Sequence, residues 1–133
     1  MADKTIADFV KAFKKGQRKF EDWDFEEDVS VDGMNLKGVQ FINCFLFLNF
    51  KNCDLEGASF VGCNMKTADF SGANLTRVFF KNCLIESLNL EGAKMDNIRA
   101  IENYAYGATL NQSDFEAIHD PNYQKAEVKI KSE

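Results

Sequence analysis

The side chains with most chemical reach in this 133-residue chain are four cysteines, Cys44, Cys53, Cys63 and Cys83, and one histidine, His119. Thiolates and imidazoles bind zinc or attack an acyl carbon only where several of them converge on one point. Here each cysteine stands three residues after a phenylalanine, Phe41, Phe50, Phe60 or Phe80. Positions spaced that regularly are strung along a wall, so the thiols are expected as small core filler, neither a zinc site nor a disulfide framework. His119 sits beside Asp120 in a loop with no nucleophile or second base placed near it, and is expected at the surface. From Glu21 to Asp28, six acids in eight residues alternate with Trp23 and Phe25. Alternation turns the aromatics inward and most carboxylates to water, a solvated rim and no metal site. The chain has no phosphate loop, metal-ligand spacing, catalytic triad set or basic stripe with aromatics. No reaction is expected of it, and no catalytic residue, metal, cofactor or small-molecule substrate.

What positions these residues is a period of five, clearest from Cys53 to Gly72: Cys53-Asp-Leu-Glu-Gly, Ala58-Ser-Phe-Val-Gly, Cys63-Asn-Met-Lys-Thr, Ala68-Asp-Phe-Ser-Gly. A small residue comes first, a polar one second, a large apolar one third, and a turn-prone pair closes the unit. Five residues advance a helix by about 500°, so an apolar stripe would spiral away. In an unbroken strand an odd period sends successive apolar residues to opposite faces. Each five must therefore hold three extended residues and a corner, with Gly or Asn supplying the corner at Gly33, Gly38, Asn43, Asn52, Gly57, Gly62, Gly72, Asn82, Gly92, Asn97 and Gly107.

The units Ala68-Asp69-Phe70-Ser71-Gly72 and Ala73-Asn74-Leu75-Thr76-Arg77 resemble the A-(D/N)-L/F-x-x signature of the pentapeptide-repeat proteins, over about two thirds of the chain. The resemblance implies an all-β fold: a right-handed quadrilateral parallel β-helix with four repeats to a coil. Residues one coil apart should then stack in columns. Phe41, Phe60 and Phe80 form one, and Cys44, Cys63 and Cys83 the next. Val31, Phe50, Phe70, Leu90 and Leu110 form the third, and Leu36, Leu55, Leu75, Met95 and Phe115 the fourth. The step from Leu46 to Phe50 is four, so one repeat near Cys44 to Phe47 lacks a residue, absorbed at a kinked corner; Asp28 is one residue extra. Asn103 ends the cysteine column, where an inward amide needs a backbone partner in the adjoining coil. At Ala100, Ile98 returns the missing volume. The repeats amount to about five coils, about 24 Å long.

The expected organisation is a capping α-helix in residues 1–17, a repeat domain in 18–117 and a tail in 118–133. Ile6, Phe9, Val10 and Phe13 recur at helical spacing between Thr5 and Lys15, with Lys11, Lys14 and Lys15 facing away and Gly16 ending the helix. Such a helix plugs the open end of the first coil, or docks a partner. After Asp120-Pro121-Asn122, Tyr123, Val128 and Ile130 in the tail could lie against the walls. Asp3 and Asp8 break any leader-like pattern, and no apolar run is long enough to span a bilayer, so a cytoplasmic location is expected. The net charge of −5 argues for solubility and against direct nucleic-acid binding.

Function should sit on the outward residues. Two walls are polar outside. The other two carry Ile42, Val61, Phe79 and Ile101, and then Phe45 or Phe47, Leu84, Tyr104 and Tyr106. Apolar surface over two adjacent walls is expected to be covered by the chain's own tail, a second copy or another protein. The residues thus point to a structural or protein-interaction module that presents flat walls to a protein partner, to a second copy of itself or to both, and that does not touch a membrane. The F-x-N-C units also resemble the quinolone-resistance branch of the family, which implies a duplex-mimicking protein that binds DNA gyrase. Ten acids against seven bases between Val29 and Ala117 make a weakly anionic surface for that role.

Overall fold

Three residues of each five are extended and the rest turn a corner in the computed structural model, which describes residues 5–105, 108–110 and 112–113. The elements are α1 (Ile6–Lys14), β1 (Lys19–Glu21), β2 (Asp24–Ser30), β3 (Gln40–Ile42), β4 (Phe45–Asn49), β5 (Ser59–Val61), β6 (Phe79–Lys81), β7 (Arg99–Ile101), β8 (Asn103–Ala105) and β9 (Ala108–Leu110). Strands β1, β3, β5, β6 and β7 form one parallel sheet in that order, so four turns of chain separate its first strand from its last. Single parallel bridges mark the other walls: Phe45, Asn64, Leu84 and Tyr104 on one, Asn49, Asp69 and Asn89 on the next, Asn35, Asp54, Asn74 and Lys94 on the last. The architecture is a four-walled parallel β-solenoid with one short N-terminal helix.

The corners are made by a second-position side chain and a fifth-position backbone. Asn35, Asn49, Asp54, Asn64, Asp69, Asn74 and Asn89 each accept, through Oδ1, the backbone N–H two residues on. That Asx turn is the physical content of the polar second position. The fifth position takes positive φ whatever its residue: 67° at Gly62, and 62°, 59°, 59° and 53° at Thr67, Arg77, Ser87 and Glu102. At Gly62 and Gly72 a Cβ would lie 2.4 Å from Oδ1 of Asn43 and Asn52 respectively, so those amides would have to shift to admit one.

Inside, the phenylalanines stack along each column and meet edge-on between columns. Phe41 and Phe60 lie 5.6 Å apart with planes 15° from parallel, Phe60 and Phe80 5.3 Å and 14°, Phe50 and Phe70 5.0 Å and 5°. Between the walls, Phe50 meets Phe60 at 82° and Phe70 meets Phe80 at 79°. Both arrangements suit the ring quadrupole, each pair adding about 0.5–1.5 kcal/mol beyond burial.

Two irregularities were visible in the spacing, and the structure relocates one. Partners in the five-stranded sheet are Phe20 with Phe41, Phe41 with Phe60, Phe60 with Phe80 and Phe80 with Ala100, offsets of 21, 19, 20 and 20 residues. The first coil holds the extra residue and the second the missing one. The missing residue is not absorbed at a kinked corner. It is the corner's own left-handed residue, so β4 runs straight through Phe45–Asn49, with Leu46 and Leu48 buried and Phe45, Phe47 and Asn49 outward. Alternation of period two replaces the turn, and β2 follows beside it with a register shift between Phe25 and Val29.

Both ends of the solenoid are finished. Thr5 and Asp8 form a reciprocal capping box at the start of α1. The helix drops Phe9, fully buried, onto Phe20 at 4.8 Å and onto Phe25 and Phe41 at 5.9 Å. At the other end Leu110, expected above Leu90, is instead drawn into an antiparallel hairpin, paired with Asn103 as β9 lies against β8. Among the described residues the regular coiling runs as far as β8. Phe115, His119 and the tail lie outside the described residues. Asn103 finds the backbone partners expected of it: its Nδ2 donates to Phe80 O at 3.1 Å and its Oδ1 accepts from Cys83 N at 3.0 Å.

Candidate functional site: the outward faces of two walls

The thiols are taken up by the fold. All four cysteines are buried and unbridged. Each Sγ–H points at a carbonyl of the preceding coil: Cys44 to Phe20, Cys53 to Val31, Cys63 to Phe41 and Cys83 to Phe60, at 3.0–3.3 Å. The Asn103 amide takes the same place one coil higher, on Phe80 O. Burial pushes the Cys53 thiol up to about 11. The neighbouring Cys63 thiol, together with burial, drives Cys44 upward too. Cys44 and Cys53, held protonated, are poor nucleophiles and poor metal ligands, whereas the Cys63 thiol shifts buried Cys83 downward. Among the described residues, no group of three or more His, Cys, Asp or Glu side chains converges to hold a metal ion.

The apolar outward residues fall into distinct surroundings. Leu84 and Tyr104 are bridge partners on adjacent coils, 37% and 40% exposed. Ile101, also 40% exposed, stands just before the corner that leads to Tyr104. Ile42 and Val61 pair across β3 and β5 and are half-buried. Phe79 is half-buried on the opposite edge of the same wall, with the Arg99 guanidinium over its ring at 4.9 Å. Tyr106 lies outside the described residues.

These side chains do not merge into one surface over both walls. Lys81 stands between Val61 and Ile101 in one column, and Asn64 between Phe45 and Leu84 in the other. Two groups result: Leu84, Ile101 and Tyr104 toward the C-terminal end, and Ile42 with Phe45 and Phe47 toward the N-terminal end. Phe45, 46% exposed, is the most exposed large apolar side chain described, and its ring lies 6.1 Å from that of Phe47.

The second-position rule gives these residues meaning. On this wall Asn64 closes its corner with an Asx turn, whereas Phe45, Leu84 and Tyr104 occupy the same position and cannot. At Leu84, whose corner closes at left-handed Ser87, the fold gives up that hydrogen bond and exposes a large apolar side chain in its place. The signal was present in the sequence, as the second position of each five, but it becomes legible only once the Asx turns are seen.

The other two walls are polar. Lys37 pairs with Asp54 at 3.6 Å and Arg77 with Glu56 on one of them, while Lys66 pairs with Glu86 at 3.6 Å at the far edge of the wall that carries Leu84. The clefts among the described residues include one beside the C-terminal end of α1 lined by Asp8, Lys11, Lys15 and Gln17, and one beside β4 lined by Phe47, Asn49, Thr67 and Asp69. Neither brings a nucleophile and a base together.

A parallel β-solenoid with four five-residue units per coil, Asx turns at the second position and a left-handed corner at the fifth, is a pentapeptide-repeat architecture. The family model described as a pentapeptide repeat region matches residues 34–116, and the chain belongs to this family. No curated protein sequence matches it. Its solved structural relatives include a pentapeptide repeat protein of the Arabidopsis thaliana thylakoid lumen, 18% identical, with a TM-score of 0.56 over 88% of this chain and 86% of that one. They also include a trypsin-treated form of QnrB1, a plasmid-mediated fluoroquinolone resistance protein, 20% identical, with a TM-score of 0.58 over 63% of this chain and 44% of that one. The chain thus matches less than half the length of QnrB1, and at these identities the likeness is one of fold.

Proposed function

We propose that this chain is a non-enzymatic protein-interaction module whose contact surface is the group Leu84, Ile101 and Tyr104. The observation that carries the proposal is the exchange at the second position. Leu84 stands where the fold would gain an Asx turn from Asn or Asp, Tyr104 is its bridge partner on the next coil, and both side chains stay exposed. A site that forgoes local stability to expose apolar area fits contact with a partner. The backbone beneath it is fixed by inter-coil hydrogen bonds from Leu84 N to Cys63 O and from Tyr104 N to Cys83 O, both 2.9 Å. Little backbone order is therefore lost on binding. Half-buried Ile42, Val61 and Phe79 contribute shape at the margins. The partner is a protein, a second copy of the chain included, and no membrane, nucleic acid or small molecule is required. Among the described residues no helix is long and apolar enough to cross a membrane, and we place the module in the cytoplasm.

The test is the double variant Leu84→Glu, Tyr104→Glu, compared with wild type in sedimentation and in capture of partners from cells. Loss of association with thermal stability unchanged supports the surface. Unchanged association and unchanged stability overturn it. The likeness to QnrB1 raises gyrase as a specific partner, reached by mimicry of duplex DNA. The ion pairs Lys37–Asp54, Lys66–Glu86 and Arg77–Glu56 leave mixed charge where a mimic needs an anionic stripe. Protein in molar excess should therefore leave fluoroquinolone inhibition of gyrase supercoiling unchanged. Protection would move the assignment to the mimic.

A further inference from the structure

The edges of the five-stranded wall are occupied by side-chain amides. On β7, the Arg99 N–H bonds down to Val78 O, so the carbonyl of Ile98 and the N–H of Ala100 point out from the last coil. Both are met by Gln112: its Oε1 accepts from Ala100 N at 2.8 Å and its Nε2 donates to Ile98 O at 2.7 Å. One carboxamide thus supplies the donor and the acceptor that a further parallel strand would have offered. At the other end, Gln40 N bonds to Arg18 O, which leaves Lys19's own carbonyl on the outer edge of β1, and Gln17 Nε2 donates to it at 2.8 Å. Of the second wall's edges, β8 is covered by β9, while β2 carries four acids and a register shift, features that discourage strand pairing.

We propose that Gln112, with Gln17 at the opposite end, is an edge stopper: it stands in for the next strand and keeps the C-terminal edge of the five-stranded wall closed to a second copy of this chain. A strand edge presents a row of donors and acceptors that another chain pairs with readily. Two copies of β7, brought together antiparallel about Ala100, would pair each Ala100 N–H, which Gln112 now holds, with the Ala100 carbonyl of the other copy in a self-complementary contact. Arg99 and Ile101 are exposed on β7 and do not obstruct such pairing. At the N-terminal end α1 also covers the core beneath β1 and β3, so the C-terminal edge depends more on its amide.

Sedimentation equilibrium on the full chain over a range of concentrations tests the proposal. Gln112→Ala should raise the weight-average mass above that of wild type, toward twice its value with increasing concentration. In dilute solution it should speed exchange of the Ala100 amide proton by about tenfold. If Gln112→Ala does not fold, Gln112→Asn, one methylene too short to bridge Ile98 and Ala100, carries the same test. A mass equal to wild type at every concentration in the folded variant overturns the proposal, as does an unchanged Ala100 exchange rate.

Discussion

A thiol, a glycine and a threonine show how strictly single positions are used. Cys53 is buried with its Sγ–H on Val31 O at 3.0 Å, and burial lifts its ionisation to about 11 from 9.0. A folded-state value above the unfolded one means that folding favours the protonated thiol. Its stabilisation is whole below about pH 9 and is lost as pH rises to about 11, a change of about 2–3 kcal/mol. Urea midpoints across this range should fall more steeply for wild type than for Cys53→Ala; equal slopes would show that the thiol is not linked to folding. The corners give a paired test. Gly62→Ala adds a Cβ 2.4 Å from Asn43 Oδ1 at a φ of 67° and should cost about 1–3 kcal/mol. Thr67→Gly relieves a β-branched residue at a φ of 62° on an exposed corner and should gain about 1 kcal/mol. Thermal unfolding of the two variants measures opposite shifts, and a shared sign would disprove the corner rule.

At the scale of elements, α1 is a plug before it is anything else. Phe9 reaches Phe20, Phe25 and Phe41, the rings that a missing lower coil would leave open. Truncation by Phe9→Ala should cost about 3–5 kcal/mol, read as a fall in the urea midpoint. A docking helix would lose binding and leave that midpoint in place. The helix, its Thr5 start and its Gly16 end were legible in the sequence because capping and amphipathic spacing are local. The course of β4 was not. Removing one residue is compatible with a kink or with a straightened strand, and only the neighbouring β2, lengthened by its own irregularity, makes the straight path continuous. The hairpin of β8 and β9 escaped for the same reason. Leu110 keeps the five-residue step, and its spacing cannot report that the chain has already reversed.

For the molecule as a whole, each coil touches only the coils above and below it, so stability is expected to grow toward the middle. Amide exchange should be slowest in the coil around Phe60 and Phe70 and faster toward β1 and β7; protection that peaks at either end would contradict a nearest-neighbour solenoid. By itself the sequence determined the five-residue unit, the four walls, the stacked phenylalanine and cysteine columns and the backbone partners of Asn103. All of these follow from a period that no helix or flat strand accommodates. It also marked Leu84, Ile101 and Tyr104 as apolar and outward. The tertiary structure decided that Lys81 and Asn64 divide the apolar face and that Phe79 lies beneath Arg99. It decided too that Phe45 is the most exposed large apolar side chain described, and that Gln112 closes an edge twelve residues away from Ala100. These facts depend on which residues meet across coils about twenty positions apart. A repeat fixes the kind of neighbour each residue has, whereas the surface is made by departures from the repeat, and those acquire neighbours only when the chain is wound.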